Sequence, residues 1–176
     1  MRAVPTSIQG VTLLESDWLR DARGGFMRSF CERDMADIGI PFHAVQTNLS
    51  HNILRGTLRG MHYQDMRAPE PKIVRCIRGV IYDVALDMRT GSPTFGKWEA
   101  VELSAENARA LYIGGGIAHG FITLTGDTDL LYHMGAFYQP ALARQVRWND
   151  PAFSIVWPIA PVVMSPADAS VPDYSG

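Results

Sequence analysis

Arg59, Gly60 and His62, in the stretch "TLRGMHYQ" (residues 57–64), put a cation and a proton acceptor three positions apart in a segment of strand-like composition. Side chains of a regular strand alternate between faces, so Arg59 and His62 would point opposite ways. A glycine inside a strand pattern marks a bulge or a close backbone approach that re-aims a neighbour. The stretch therefore either aims both groups at one small molecule or is an ordinary strand with polar residues on its wet side. Lys72 lies a little downstream, and His119 follows the turn "GGGIA". Arginine, lysine and histidine with few carboxylates nearby suit an anionic ligand.

Each of these residues also has a plainer reading. Tyr132 and Tyr138 suit strand packing, Lys72 a solvated strand start, and Asp168 a surface helical turn. Spacing alone does not join them into one site. Two classes of small β-barrel fit the histidines. One gathers two or three histidines and a carboxylate around a metal. The chain has no H-x-H, and no glutamate follows His62 at short spacing, so that class lacks ligands. The other works without metal, with a histidine base and lysine and tyrosine partners. Cys31 and Cys76 are isolated and read as free thiols.

The elements that must position these residues are mostly strands. The strand-like runs are "VTLLES", "FMRSFCE", "HAVQTNLSHN", "GTLRGMHYQ", "KIVRCIRG", "VIYDVALDMR", "KWEAVELS", "RALYIGG", "AHGFITLT" and "TDLLYHMG". Turns rich in glycine, serine and aspartate separate them, which suggests a β-sandwich or barrel. In "VIYDVALDMR" one face carries Ile81, Asp83, Ala85 and Asp87. The other carries Val80, Tyr82, Val84, Leu86 and Met88, and is expected to be the core face. "ERDMADIG" predicts a short helix stopped by Gly39. "SPADAS" predicts a helical turn with Ser165 as N-cap. Pro158 and Pro161 interrupt the last apolar run.

The chain has 176 residues, 47% hydrophobic and 19% charged, with a formal net charge of −2. Those values predict one soluble globular domain over 1–176 and no general attraction to nucleic acid or anionic membranes. No apolar run is long enough to span a bilayer, and the N-terminus lacks the apolar core of a signal peptide, so a cytoplasmic location is expected.

The motifs "TLRGMHYQ", "KIVRCIRGVIYDVALDMRTGSPTFGKW", "VELSAENARALYI", "AHGF", "FYQP" and "VRWNDP" occur in this order between Leu13 and Asp168. In these the chain resembles the dTDP-4-dehydrorhamnose 3,5-epimerase family. The resemblance implies an all-β, cupin-type antiparallel barrel, a homodimer, and catalysis without metal or organic cofactor. It implies that His62 is the base, that Asp168 pairs with it, and that Tyr132 is the proton donor. Lys72 and Arg59 match substrate-binding cations, and His119 a further binding residue. Tyr138 takes the place of the aromatic residue that stacks on the nucleotide base. Arg23, Gln46 and Asn48 match nucleotide contacts. Three positions depart from the family pattern. Arg28 stands where a substrate-contacting glutamate is common, Ala167 where a lysine is, and Ala143 where an acidic residue is.

The activity implied is epimerisation of a nucleotide-linked 4-keto-6-deoxyhexose, by default dTDP-4-dehydro-6-deoxy-D-glucose to dTDP-4-dehydro-L-rhamnose. The alternatives are a 3-only or 5-only epimerase on another nucleotide sugar, or a non-catalytic sugar-nucleotide-binding barrel. The residue types fit proton transfer. A neutral histidine, with an ordinary pKa of about 6.5, can remove a proton beside a ketone, and a lysine can stabilise the enolate.

Overall fold

Short alternating segments broken by glycine-rich turns form thirteen strands, while α-helix is confined to two brief stretches and 3-10 helix to one turn at Pro140–Leu142. The computed structural model describes residues 1–176. In chain order the strands are β1 (Arg2–Pro5), β2 (Val11–Glu15), β3 (Leu19–Asp21), β4 (Gly24–Phe26), β5 (Gln46–Asn52), β6 (Leu58–Gln64) and β7 (Lys72–Arg78). They continue with β8 (Val80–Asp87), β9 (Trp98–Ser104), β10 (Arg109–Ile113), β11 (Ile117–Thr123), β12 (Thr128–Met134) and β13 (Ala143–Gln145). Helix α1 (Glu32–Asp37) follows β4, and α2 (Pro166–Ala169) follows β13.

The strands make a six-stranded sheet in the order β1-β2-β10-β7-β12-β5 and a five-stranded sheet in the order β13-β6-β11-β8-β9. All pairings between neighbouring strands are antiparallel. Two such sheets packed face to face are the expected cupin-type jelly roll. A small hairpin, β3-β4, stands apart from both.

The main core lies between the sheets. Val74, Cys76, Leu111, Ile113 and Leu130 come from one sheet and meet Ile81, Ala85, Leu103, Ile117 and Phe121 from the other. Burying each large apolar side chain is worth roughly 1.5–3 kcal/mol. Both outer faces are covered as well. Helix α1 and its flanks lay Met35 and Phe42 against Leu14, Ile73 and Ala110. The segment after β13 lays Phe153 and Ile155 against Met61, Val84, Leu86 and Met88.

That double covering corrects the expectation for β8. Val84, Leu86 and Met88 are buried as expected, but Ile81, Asp83, Ala85 and Asp87 are buried too. The first set faces the outer cover, and Ile81 and Ala85 face the space between the sheets. A second correction concerns "FMRSFCE". Only Phe26 belongs to a strand; residues 27–31 join no ladder. No strand of the chain pairs with them. Instead the Arg75 guanidinium donates to the Ser29 carbonyl at 3.2 Å and anchors the segment on its way to α1. The helix over Glu32–Asp37 and the turn at Gly39, with φ of +79°, follow the sequence expectation. No helix is long and apolar enough to cross a membrane.

Candidate active site

The ladder between β6 and β11 sets how Arg59 and His62 are aimed. His62 pairs with His119, and Arg59 pairs with Phe121, with a register shift between the two pairs. Three steps along β6 thus match two along β11. The extra residue is a β-bulge, and it turns Arg59 and His62 to the same face. Gly60 makes it possible. Its φ is +115°, and a Cβ there would lie 2.6 Å from the Gly120 Cα. No other residue type fits that approach without displacing β11.

The inner faces of both sheets then line one cavity of about 1210 Å³. His62 Nε2 lies 2.6 Å from Asp168 Oδ1. Asp168 comes from α2, where the Ser165 hydroxyl caps the helix by accepting the Asp168 N–H at 3.0 Å. Gln145, directly opposite His62 on β13, donates to the same carboxylate oxygen at 3.4 Å. The histidine side chain is about half exposed, whereas that of Asp168 is 5% exposed. With Nε2 committed to the carboxylate, Nδ1 is the ring nitrogen free to act on a ligand.

Beside it lies a second pair, His119 with Asp83 on β8, at 2.7 Å between Nε2 and Oδ1. Both are buried, and Asp83 Oδ2 has no hydrogen-bond partner. Tyr132 faces this pair from β12 of the opposite sheet, edge-on to His119 at 5.9 Å. Burial pushes its hydroxyl well above the usual tyrosine range; the charge of Asp83 adds to the effect and Arg59 opposes it. Lys72, at the start of β7, donates to Glu70 at 2.9 Å, with both side chains 8% exposed. Arg59 donates through Nε to Asn52 Oδ1 at 2.9 Å, which ties it to the end of β5.

Gln46, Asn48 and Tyr138 also line the cavity, and the Gln46 amide donates to Asn48 Oδ1 at 2.8 Å. Tyr138 stands at its rim, 62% exposed. The cavity therefore brings together nine of the residues singled out from the sequence: Gln46, Asn48, Arg59, His62, Lys72, His119, Tyr132, Tyr138 and Asp168. Ala143 and Ala167 line it as well. No group of three or more histidine, cysteine, aspartate or glutamate side chains is arranged to hold a metal ion.

Residues 5–175 match the family model described as dTDP-4-dehydrorhamnose 3,5-epimerase. The chain belongs to this family. It is 42% identical over 171 residues to the dTDP-4-dehydrorhamnose 3,5-epimerase of Sinorhizobium fredii, covering 94% of this chain and 86% of that one. It is 37% identical to the dTDP-4-dehydrorhamnose 3-epimerase of Streptomyces niveus, over 96% of this chain and 81% of the other. Among solved structures, the dTDP-6-deoxy-D-glucose-3,5-epimerase of Legionella pneumophila in complex with dTDP-4-keto-L-rhamnose superposes with a TM-score of 0.90. Its identity is 35%, and 99% of each chain is covered.

Two residues that the epimerase resemblance assigned to substrate binding lie outside this cavity. Arg23, in the β3-β4 turn, is 90% exposed and paired with Asp21. Arg28 pairs with Asp34 of α1 at 3.2 Å. Three residues of the site went unread in the sequence. Asp83 was visible as a carboxylate sharing a face with Ile81 and Ala85. Glu70 carried a signal in its two flanking prolines, Pro69 and Pro71. Gln145 had none, because β13 is too short to show a pattern.

Proposed function

We propose that this chain is a 3,5-epimerase that converts dTDP-4-dehydro-6-deoxy-D-glucose to dTDP-4-dehydro-L-rhamnose. The observation that carries the reading is the placement of an acceptor and a donor on facing sheets. His62, backed by Asp168, stands on β6, and Tyr132 stands across the cavity on β12. A 4-keto sugar held between them meets a base on one side and a protonated phenol on the other.

The C4 carbonyl of such a sugar acidifies the C–H bonds at C3 and C5, so the reaction as proposed needs no metal or organic cofactor. His62 Nδ1 takes the proton, and the imidazolium is stabilised by Asp168. The electron pair of the C–H bond moves into the enolate, whose charge settles on O4, and Lys72 supplies the positive partner. Tyr132 returns a proton to the opposite face of the same carbon, which inverts the centre. His62 then releases its proton to solvent and the tyrosinate takes one up, so the enzyme ends as it began. Arg59 and His119 bind the substrate, and Gln46, Asn48 and Tyr138 hold its nucleotide end.

Residues 1–176 act as a single domain in the cytoplasm, with a nucleotide sugar and a second copy of the chain as partners and neither nucleic acid nor membrane. The homodimer is supported by the hairpin. Arg23 is out of reach of its own cavity, while Leu19 and Phe26 are 68% and 70% exposed beside it. In the dimer Arg23 and Arg28 reach the partner's site. Light scattering at micromolar concentration tests this, and a fully active monomer would contradict it.

Incubation with dTDP-4-dehydro-6-deoxyglucose in D₂O tests the chemistry. Deuterium at both C3 and C5 is expected. Label at C3 alone would move the chain to the 3-epimerase reading, which its likeness to the Streptomyces niveus enzyme favours as the second choice. Binding of dTDP without any exchange would indicate a non-catalytic barrel.

A further inference from the structure

Besides Asp168, the cavity is lined by one other carboxylate, Glu70. Its surroundings are unusually rigid. Glu70 sits between Pro69 and Pro71, which fix their own φ angles and restrict the residue before each. Both prolines are jammed against a glycine. A Cβ on Gly115 would lie 2.4 Å from Pro69 Cβ, and a Cβ on Gly135 would lie 2.8 Å from Pro71 Cγ. The Pro71 carbonyl also accepts the Gly135 N–H at 2.8 Å. The backbone on either side of Glu70 is therefore held by the turn before β11 and the end of β12. From that mount the carboxylate reaches Lys72 Nζ at 2.9 Å, in a pair that is almost wholly withdrawn from water.

We propose that Glu70 is a positioning residue for Lys72. This rests on the reaction proposed above. Lysine is a flexible stem with three rotatable donors and, left alone in a cavity, samples many rotamers. One N–H spent on a fixed carboxylate aims the other two. An ammonium held in that way meets the developing enolate oxygen without reorganising, which is the condition under which a donor stabilises a transition state most. Glu70 thus acts on the chemical step through Lys72 and makes little contribution to holding the nucleotide, whose contacts lie elsewhere in the cavity.

The test is a double-mutant cycle on the full chain with dTDP-4-dehydro-6-deoxyglucose, read as kcat and KM for exchange in D₂O, with dTDP affinity measured in parallel. Glu70→Ala is expected to lower kcat at least about tenfold while KM and dTDP affinity stay within about twofold. Glu70→Gln keeps an oxygen acceptor and recovers part of the loss. In a Lys72→Ala background, Glu70→Ala costs nothing further. A folded Glu70→Ala protein with wild-type kcat overturns the assignment, as does an equal loss of dTDP affinity or a full further loss in the Lys72→Ala background. If Glu70→Ala does not fold, the near-isosteric Glu70→Gln variant decides by the same measurements. Exchange by the wild-type chain separates the two ideas. Its absence overturns the proposed reaction and this inference together, whereas its presence with an indifferent Glu70 overturns the inference alone.

Discussion

The two His–Asp pairs of the cavity use the same chemistry in different settings. His62 and His119 are direct neighbours across the β6–β11 ladder, and each has its Nε2 on an aspartate. The His62 side chain is 47% exposed and its aspartate comes from α2, a short helix outside both sheets. The His119 side chain is 6% exposed, and its aspartate comes from β8, the next strand of the same sheet. An acid–base group must meet its substrate and give its proton back to solvent, which the first setting permits. The second setting suits a fixed polar surface. Both histidines are paired with a carboxylate, so access is what favours His62 over His119 as the proposed base.

The two settings should differ most at His62. His62→Ala is expected to lower deuterium incorporation by on the order of 10²–10⁴, with little change in unfolding midpoint because the ring is half exposed. Near-normal exchange by a folded His62→Ala protein would remove the base from this site. Asp83→Ala should do the reverse. It takes one partner from a buried pair, and a loss of about 3 kcal/mol of stability is expected in urea unfolding. Asp168→Ala, by contrast, should cost far more in kcat than in stability. If both aspartates cost stability alone, the contrast between the pairs is wrong.

Tyr132→Phe has a more selective effect. Exchange at the carbon that faces His62 survives in part, while inversion is lost, so label enters the substrate faster than product forms. Inversion at the wild-type rate would show that the phenol is not the donor. The native phenol should also resist ionisation. Its folded pKa lies above its unfolded one, so the stability tied to its proton is fully present below about pH 10 and falls as the pH rises beyond that value. Burial also raises Tyr63, Tyr82 and Tyr112, so ultraviolet titration of the folded protein should show one more ionisation-resistant phenol in the wild-type chain than in Tyr132→Phe. The smallest change is expected at Arg28, which does not line the cavity and pairs with Asp34. Arg28→Glu should alter the ranking of dTDP-, CDP- and GDP-linked substrates more than turnover of the best one. Unchanged relative kcat/KM values would leave Arg28 as a surface partner of Asp34.

Much of this was legible in the chain. Alternation and glycine turns marked the long strands, and Ser165 announced α2 through its capping position. Gly60 advertised the bulge, although only the ladder shows that one extra residue brings Arg59 and His62 to the same face. What stayed hidden was non-local. The strand orders depend on neighbours distant in sequence, such as β2 beside β10 and β12 beside β5. The short strands β1, β3 and β13 have no periodicity to read. Residues 27–31 have strand-like composition, yet no neighbouring strand pairs with them, and propensity cannot supply that missing ladder. Which face of β8 meets the inter-sheet core was hidden because the segment carrying Phe153 and Ile155 buries the other, equally apolar face.

The separation between His62 and Asp168 also gives the enzyme a schedule. A chain made from its N-terminus can begin to fold while synthesis continues. When β13 has been made, every strand of both sheets exists, yet the imidazole still waits for its carboxylate. The barrel can thus close around a histidine that has no orienting partner. Only when Ser165 caps α2 and swings Asp168 into place does His62 gain its carboxylate partner. A ribosome-bound nascent chain stopped short of that helix should hold nucleotide well before it turns over any sugar, so that a reactive enolate is never raised in a half-made protein.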